Sequence, residues 1–408
     1  MNVAKTATAM SNVNDAAVAA LPEPALPVQA MWPSVLRDVP ARMRRLHHPN
    51  LPQPLTVADE EPLIETGAAR GFFFVLAEIA VSNGPIGGIV ASPASGHLLV
   101  TNHGENCVSV IETGTFAVVN TITGTDEPFV IAAGRADDNS AYVSTAAAAY
   151  DSISVIDTDT NTVVATHPVA LNVRDLAVSP DGKRIYASRT GLDGADVAVI
   201  DTARGLVTTI DIATGAGVSA EAMSITRDGL RLYVATVDQF GGYLVVIDTG
   251  ANRVVDTIEI GSPIRGVALS PGGDTAYVAS FEPGLGGVVD VVDTATNEVT
   301  ATVEIGGSPT QLTLSSEGDR AYVVSDDHIA VLCTATNEVI DTITVGAQPS
   351  CVTESPDGKQ LYVADYTGRV TVLSVASSTA PLLARVMALD VIAAPELLEL
   401  LELEPATV

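Results

Sequence analysis

Two short segments of the chain place a histidine beside carboxylates. His103 is followed by Glu105, and His328 follows Asp326 and Asp327, either of which could be its partner. An imidazole and a carboxylate at this spacing can ligate a divalent ion or act as an acid–base pair. The sequence contains no His-x-x-x-His pair, nucleophile elbow, phosphate loop or dinucleotide fingerprint beside them. The sequence therefore assigns no catalytic residue and leaves metal content and cofactors unknown.

A second candidate set is charged and lies near the starts of three predicted strands. Arg174 and Arg265 are possible anion contacts, and Glu221 lies between them in the chain. The arginines can equally pair with Asp175 and Glu221 across a channel, so both interpretations stay open. Both sets together give seven candidate ligand-binding residues: His103, Glu105, Arg174, Glu221, Arg265, Asp327 and His328.

The elements that carry these residues repeat seven times. The repeats share a turn like Ser179–Gly182, a Tyr-Val-type strand and a strand whose end resembles Val-Ile-Asp-Thr. The anchors of the repeats are 40 to 47 residues apart: Leu99, Tyr142, Tyr186, Tyr233, Tyr277, Tyr322 and Tyr362. A period of this length made of four short strands is typical of a propeller blade. The sequence predicts an all-β, seven-bladed propeller of four-stranded antiparallel blades.

The seventh repeat lacks its fourth strand. The pattern stops after Arg369–Val375, whereas Phe73–Val81 near the N-terminus resembles a fourth strand. An unpaired edge strand is an aggregation hazard, so we expect Phe73–Val81 to complete the last blade and close the ring.

Several short sequence segments resemble the YVTN family of β-propeller repeats, which includes YncE-like and lactonase-like proteins. They are Ser179–Tyr186, Leu361–Asp365 and Val292–Asn297, and the resemblance covers about Phe73 to Val375. It implies a bacterial seven-bladed scaffold and assigns no function. Leu99 replaces the expected Tyr in the first repeat, and Leu332-Cys333 replaces Ile-Asp in the sixth.

The two ends of the chain differ from the repeats in composition. Residues 1–70 are rich in Ala and Pro, which predicts a disordered arm. Residues 71–378 form the predicted propeller. Residues 379–408 form an acidic tail, in which the leucine spacing of 396–404 predicts a short helix. Both tails are candidate docking elements.

The net charge restricts the class of partner. Of the formal charge of −29, residues 1–70 carry −1 and residues 379–408 carry −4, which leaves −24 on the predicted propeller. Such a body repels nucleic acid, which argues against single-stranded DNA binding. We expect a protein or small-molecule partner, a monomer and no membrane span. The N-terminus has no convincing signal peptide, so a cytoplasmic location is the default, with export left open.

Residues that recur from repeat to repeat are best explained by blade architecture. Asp157, Asp201, Asp248 and Asp293 end strands before tight turns, where their carboxylates can accept backbone N–H bonds. Function is then expected on the opposite face, whose loops differ between repeats. The sequence favours a non-enzymatic binding or scaffold protein that uses this variable-loop face and the channel mouth. The alternative is a lactonase-type hydrolase with a metal or an acid–base pair at the channel mouth.

Overall fold

The computed structural model of the chain describes residues 72–146, 150–169 and 172–376. The predicted arm at 1–70 and the predicted C-terminal helix lie outside these residues. The described part consists of strands β1–β28 and one single-turn 3₁₀ helix, His103–Glu105. Within it, no helix has the length and apolar character of a membrane span.

The strands form seven sheets of four antiparallel strands each, and we number the blades in chain order. β1 (Phe73–Ala80) comes first. Blade 1 contains β2 (Ile86–Ala91), β3 (His97–Asn102), β4 (Cys107–Glu112) and β5 (Ala117–Thr123). Blade 2 contains β6 (Ile131–Ala133), β7 (Ser140–Ala146), β8 (Asp151–Asp157) and β9 (Thr162–Pro168). Blade 3 contains β10 (Asn172–Val178), β11 (Arg184–Thr190), β12 (Gly194–Asp201) and β13 (Val207–Thr214). Blade 4 contains β14 (Ser219–Ile225), β15 (Arg231–Val237), β16 (Gly242–Asp248) and β17 (Arg253–Glu259).

The remaining blades follow the same order. Blade 5 contains β18 (Ile264–Leu269), β19 (Thr275–Glu282), β20 (Gly286–Asp293) and β21 (Glu298–Glu304). Blade 6 contains β22 (Gln311–Leu314), β23 (Arg320–Val324), β24 (Ile329–Cys333) and β25 (Glu338–Ile343). Blade 7 contains β26 (Pro349–Glu354), β27 (Gln360–Asp365) and β28 (Arg369–Val375), and β1 is its fourth strand.

The ring closes through β1, as the sequence predicts. β1 pairs antiparallel with β28, from Phe73 opposite Val375 to Ala80 opposite Arg369. The pairing is extended at both ends, where Ala376 donates to the Phe72 carbonyl and Val81 donates to the Gly368 carbonyl. The described residues form seven hydrophobic clusters, each between two neighbouring blades, and one of them joins blade 7 to blade 1.

The recurrent tyrosine is part of this packing. Each Tyr lies on the second strand opposite a small residue of the first strand, as in Tyr186 opposite Ala177 and Tyr233 opposite Ser224. In blade 1, Leu99 lies opposite Val90 instead. The smaller side chain on one strand is matched by a larger one on the other, so the volume between the strands is conserved. The departure at Leu99 is therefore a compensated core substitution.

Candidate functional site

The two faces of the ring carry different kinds of loop. The turns between first and second strands and between third and fourth strands lie on one face, which we call the repeat face. The loops between second and third strands and the connections between blades lie on the opposite face, which we call the variable face. First strands of neighbouring blades contact each other and line the central channel.

The recurrent carboxylates of the repeat face are structural. Asp157, Asp201, Asp248 and Asp293 each accept backbone N–H bonds from the second and third residues after them. Backbone hydrogen bonds hold the pKa of the Asp293 carboxyl below its usual value because they favour the charged form. These residues therefore stabilise turns, as expected from the sequence.

Three of the candidate residues meet in the channel on the variable-face side. Arg174, Glu221 and Arg265 occupy the same place in the first strands of blades 3, 4 and 5, where the register with the second strand shifts by one residue. Such a β-bulge redirects a side chain from its strand's regular alternation. Arg265 Nη1 lies 3.3 Å from Glu221 Oε2, which makes an ion pair. We call these three residues the channel triad.

The Arg174 guanidinium has an unusual environment. Among the residues that the structure describes, its buried Nε has no hydrogen-bond partner. Burial lowers the pKa of Arg174, nearby Glu221 opposes this effect and nearby Arg265 adds to it. The arginine thus interacts electrostatically with both other members of the channel triad.

The neighbouring Asp175 links two blades. Its Oδ2 accepts the backbone N–H of Met223 in blade 4 at 2.7 Å, and its Oδ1 accepts the N–H of Leu176 at 2.8 Å. Burial raises the pKa of the Asp175 carboxyl to about 7, and these two hydrogen bonds only partly offset the effect. Asp175 therefore supports the wall beneath the channel triad, and it does not pair with Arg174 in the contacts of the described residues.

The raised pKa of Asp175 predicts a pH-dependent stability. A folded-state pKa of about 7 against an ordinary 3.8 means that the folded chain holds a proton that the unfolded chain releases. The stability that this proton contributes is fully present below about pH 4 and is lost as the pH rises through about 7. Asp175→Asn should therefore flatten the decline of the unfolding free energy between about pH 4 and pH 7, measured by urea denaturation. Parallel pH profiles for the wild type and the variant would contradict this assignment.

The histidine candidates are arranged as separate pairs. On blade 6, His328 Nδ1 lies 2.8 Å from Asp327 Oδ1, so this pair is formed as the sequence suggests. On blade 1, Glu105 Oε1 accepts hydrogen bonds from the backbone and side chain of Asn83, while His103 begins the single-turn helix. Among the described residues, no group of three or more His, Cys, Asp or Glu side chains is placed to hold a metal ion. The structure thus brings the channel triad together and leaves the two histidine segments on different blades.

Apolar side chains on the variable face were not among the seven candidate ligand-binding residues. Leu192, Phe240 and Leu285 lie in the variable-face loops of blades 3, 4 and 5, and Phe281 lies near the end of the second strand of blade 5. Leu192 is 82% exposed and Phe240 is 78% exposed. The signal in the sequence is a large apolar residue inside a loop of Gly and Asp, as in Gly191–Gly194 and Asp238–Gly241. We call these four residues the apolar rim.

The repeat face carries a cleft that sequence reasoning missed. It measures about 690 Å³, lies between blades 2 and 3, and is lined by Arg135, Tyr142, His167 and Arg204 among others. The turn of blade 2 in this cleft is one residue longer than that of blade 3, because its closing hydrogen bond joins Gly134 to Ser140 instead of Ser179 to Arg184. The sequence signal for this cleft is that Gly134–Asp138 departs from the Ser-Pro-Asp-Gly sequence of the equivalent turn in blade 3. Both oxygens of Asp137 already bind the Arg135 guanidinium, at 2.7 and 2.8 Å.

Comparison with known proteins agrees with this architecture. Seven-bladed beta-propeller protein Rv1057 of Mycobacterium tuberculosis is 48% identical over 247 residues, which cover 53% of this chain and 62% of that protein. The chain therefore spans less than two thirds of that relative. A solved structure, Kuenenia stuttgartiensis hydrazine synthase, has a TM-score of 0.64 at 22% identity, over 72% of this chain and 97% of the other, and it shows the fold alone.

The family is shown by a direct match. The model of the YNCE-like beta-propeller family matches residues 75–386, which is more than half of the chain. The match agrees with the seven four-stranded blades and with the resemblance found in the repeats. The chain belongs to the YncE-like β-propeller family.

Proposed function

We propose that the protein is a non-enzymatic binding propeller that takes a partner at the mouth of the channel on its variable face. The observation that carries this proposal is that blades 3, 4 and 5 supply both the channel triad and the apolar rim. Exposed apolar side chains with polar groups beside them are typical of binding surfaces, whose centres are enriched in aromatic residues and arginine. Loops that vary on a rigid scaffold are also where binding residues usually lie.

The apolar rim offers a test with a matched control on the other face. Leu192→Ser/Phe240→Ser removes two exposed apolar side chains from the variable face, and Leu206→Ser/Leu230→Ser does the same on the repeat face, where these leucines are 61% and 59% exposed. Partners captured from an extract by the immobilised wild type, proteins and small molecules alike, are identified by mass spectrometry and titrated against both variants. We expect the variable-face variant to bind at least about tenfold more weakly, since an interface anchor contributes upwards of about 1–2 kcal/mol. Equal affinity for both variants, or loss confined to the repeat-face variant, would overturn the proposal.

The alternative function is hydrolysis of the lactonase type, with Asp327 and His328 as an acid–base pair. The 2.8 Å contact between His328 Nδ1 and Asp327 Oδ1 supports it, because a carboxylate that binds one ring nitrogen orients the other. Its test is hydrolysis of a panel of lactones by the wild type and by His328→Asn. Hydrolysis that is lost in the variant would replace the binding proposal, whereas equal rates for wild type, variant and buffer would exclude this pair as the catalytic group.

A further inference from the structure

We propose that the channel triad binds one anionic group, a carboxylate or a phosphate, of the ligand that enters the channel mouth. This inference rests on the proposed function, since it assumes that the variable-face mouth is the binding site. It adds the chemical class of the group that is bound there.

The channel triad carries more positive than negative charge. Arg174 and Arg265 contribute two positive charges and Glu221 contributes one negative charge. The Glu221 carboxylate is already engaged, because Oε2 lies 3.3 Å from Arg265 Nη1 and Oε1 accepts the Ser219 hydroxyl. It therefore neutralises one arginine and leaves an excess of one positive charge. That excess lies inside a chain whose formal charge is −29.

The Arg174 guanidinium contains an unsatisfied hydrogen-bond donor. A buried polar N–H without an acceptor costs free energy, and a charged group costs more than a neutral one. The Arg174 Nε is in this situation among the described residues. The lowered pKa of Arg174 reflects the same burial. An oxyanion at the partly exposed Arg174 side chain would supply the missing negative charge, and guanidinium groups bind carboxylate and phosphate oxygens in a directed, often bidentate way.

The fold presents the side chains of the channel triad together. The bulges of blades 3, 4 and 5 place the channel triad at one level of the channel, and the corresponding bulge of blade 7 places Ser350 there as well. The three blades are consecutive, so their side chains share one sector of the wall. The bulge also occurs at this position where the residue is uncharged. The bulge is therefore a feature of the propeller backbone and does not depend on the charged side chains. The choice of Arg, Glu and Arg is particular to blades 3 to 5.

The test uses the full chain and two probes, sodium phosphate and sodium succinate, in calorimetric titrations at constant ionic strength. Arg174→Gln and Arg265→Gln should each weaken binding of the probe at least about tenfold, as expected for loss of a charge-assisted hydrogen bond. Glu221→Gln should strengthen binding, because the excess charge of the triad rises. Arg253→Gln is the matched control, since Arg253 is exposed on the outer strand of blade 4 and its loss changes the net charge equally.

The outcomes separate the ligand class and the two proposals. Tighter binding of phosphate than of succinate assigns a phosphate group, and the reverse assigns a carboxylate. No binding of either probe, or equal weakening by Arg253→Gln and Arg174→Gln, would overturn the inference.

Leu192→Ser/Phe240→Ser should keep the affinity for the probe while it loses the partner. If the probes fail to bind but that variant still loses the partner, only the anion site is refuted; if the probes bind but the partner is retained, only the partner surface is refuted.

Discussion

Deletion of Phe73–Ala80 is expected to open the ring and to remove most of its stability. The deletion takes away the whole of β1, leaves β28 as an unpaired edge and uncovers Val370 and Val372, which are fully buried in the intact blade. Loss of one buried Ile alone usually costs about 2–5 kcal/mol, and whole domains are stable by only about 5–15 kcal/mol. We expect a large fall in the urea midpoint of unfolding. We also expect oligomers in size-exclusion chromatography, because free strand edges pair with one another.

Two point variants separate ring closure from a general effect of changing β1. Ile79 is 8% exposed and packs between blade 7 and blade 1, whereas Val75 on the same strand is 62% exposed. Ile79→Ala should lower the unfolding free energy by about 2–4 kcal/mol, and Val75→Ala should change it by less than about 0.5 kcal/mol. A deletion variant with the wild-type urea midpoint would show that β1 does not hold the ring closed.

The second large effect is expected at a buried ion pair in blade 3. Arg189 Nε lies 2.6 Å from Asp196 Oδ1, and the two side chains are 8% and 17% exposed. The same guanidinium donates to the Val169 carbonyl and the Thr209 hydroxyl. Asp196→Ala should lower the unfolding free energy by about 3–5 kcal/mol, because it leaves a buried positive charge without its carboxylate.

An exposed pair in the same blade provides the control. Arg204 Nη1 lies 3.5 Å from Asp201 Oδ2, where the side chains are 74% and 38% exposed. An exposed pair contributes less than about 1 kcal/mol to the free energy of unfolding. The variant Asp201→Ala would remove this pair, but it would also remove the two turn hydrogen bonds that Asp201 accepts. Arg204→Ala removes the pair and keeps the turn, so it is the cleaner comparison. If urea denaturation shows that Asp196→Ala and Arg204→Ala lower the free energy of unfolding equally, the structural role of the Arg189 pair is refuted.

The fold could be predicted because its determinants are local and repeated. Short Val-rich strands, turns with Gly at positive φ, such as Gly182 at 70°, and a period near 44 residues all recur along the chain. The missing fourth strand of the last repeat could be matched with Phe73–Val81 for the same reason. The departure at Leu99 could be noticed in the sequence, but its compensation by Val90 required the register of the strands.

The site could be predicted only in part, because it depends on which side chains leave the regular alternation. Arg174, Glu221 and Arg265 were found as charged residues near the starts of first strands, and the bulges that bring them together cannot be read from the alternation of residues. Arg189 and Asp196 flank a variable-face loop, yet their side chains form a buried ion pair. Burial of that pair depends on contacts with the neighbouring strand and the preceding connection, and these contacts are distant in the sequence.

The central claim is that the channel mouth on the variable face, rather than the cleft on the repeat face, is the binding site. The most direct measurement is X-ray diffraction from crystals soaked in selenate, a tetrahedral oxyanion whose selenium scatters anomalously. We predict an anomalous peak from a selenate whose oxygens lie about 3 Å from the guanidinium nitrogens of Arg174 and Arg265. The peak should be absent from crystals of Arg174→Gln. A channel without such a peak, together with selenate bound at Arg135 or Arg204 in the cleft of the repeat face, would contradict the account.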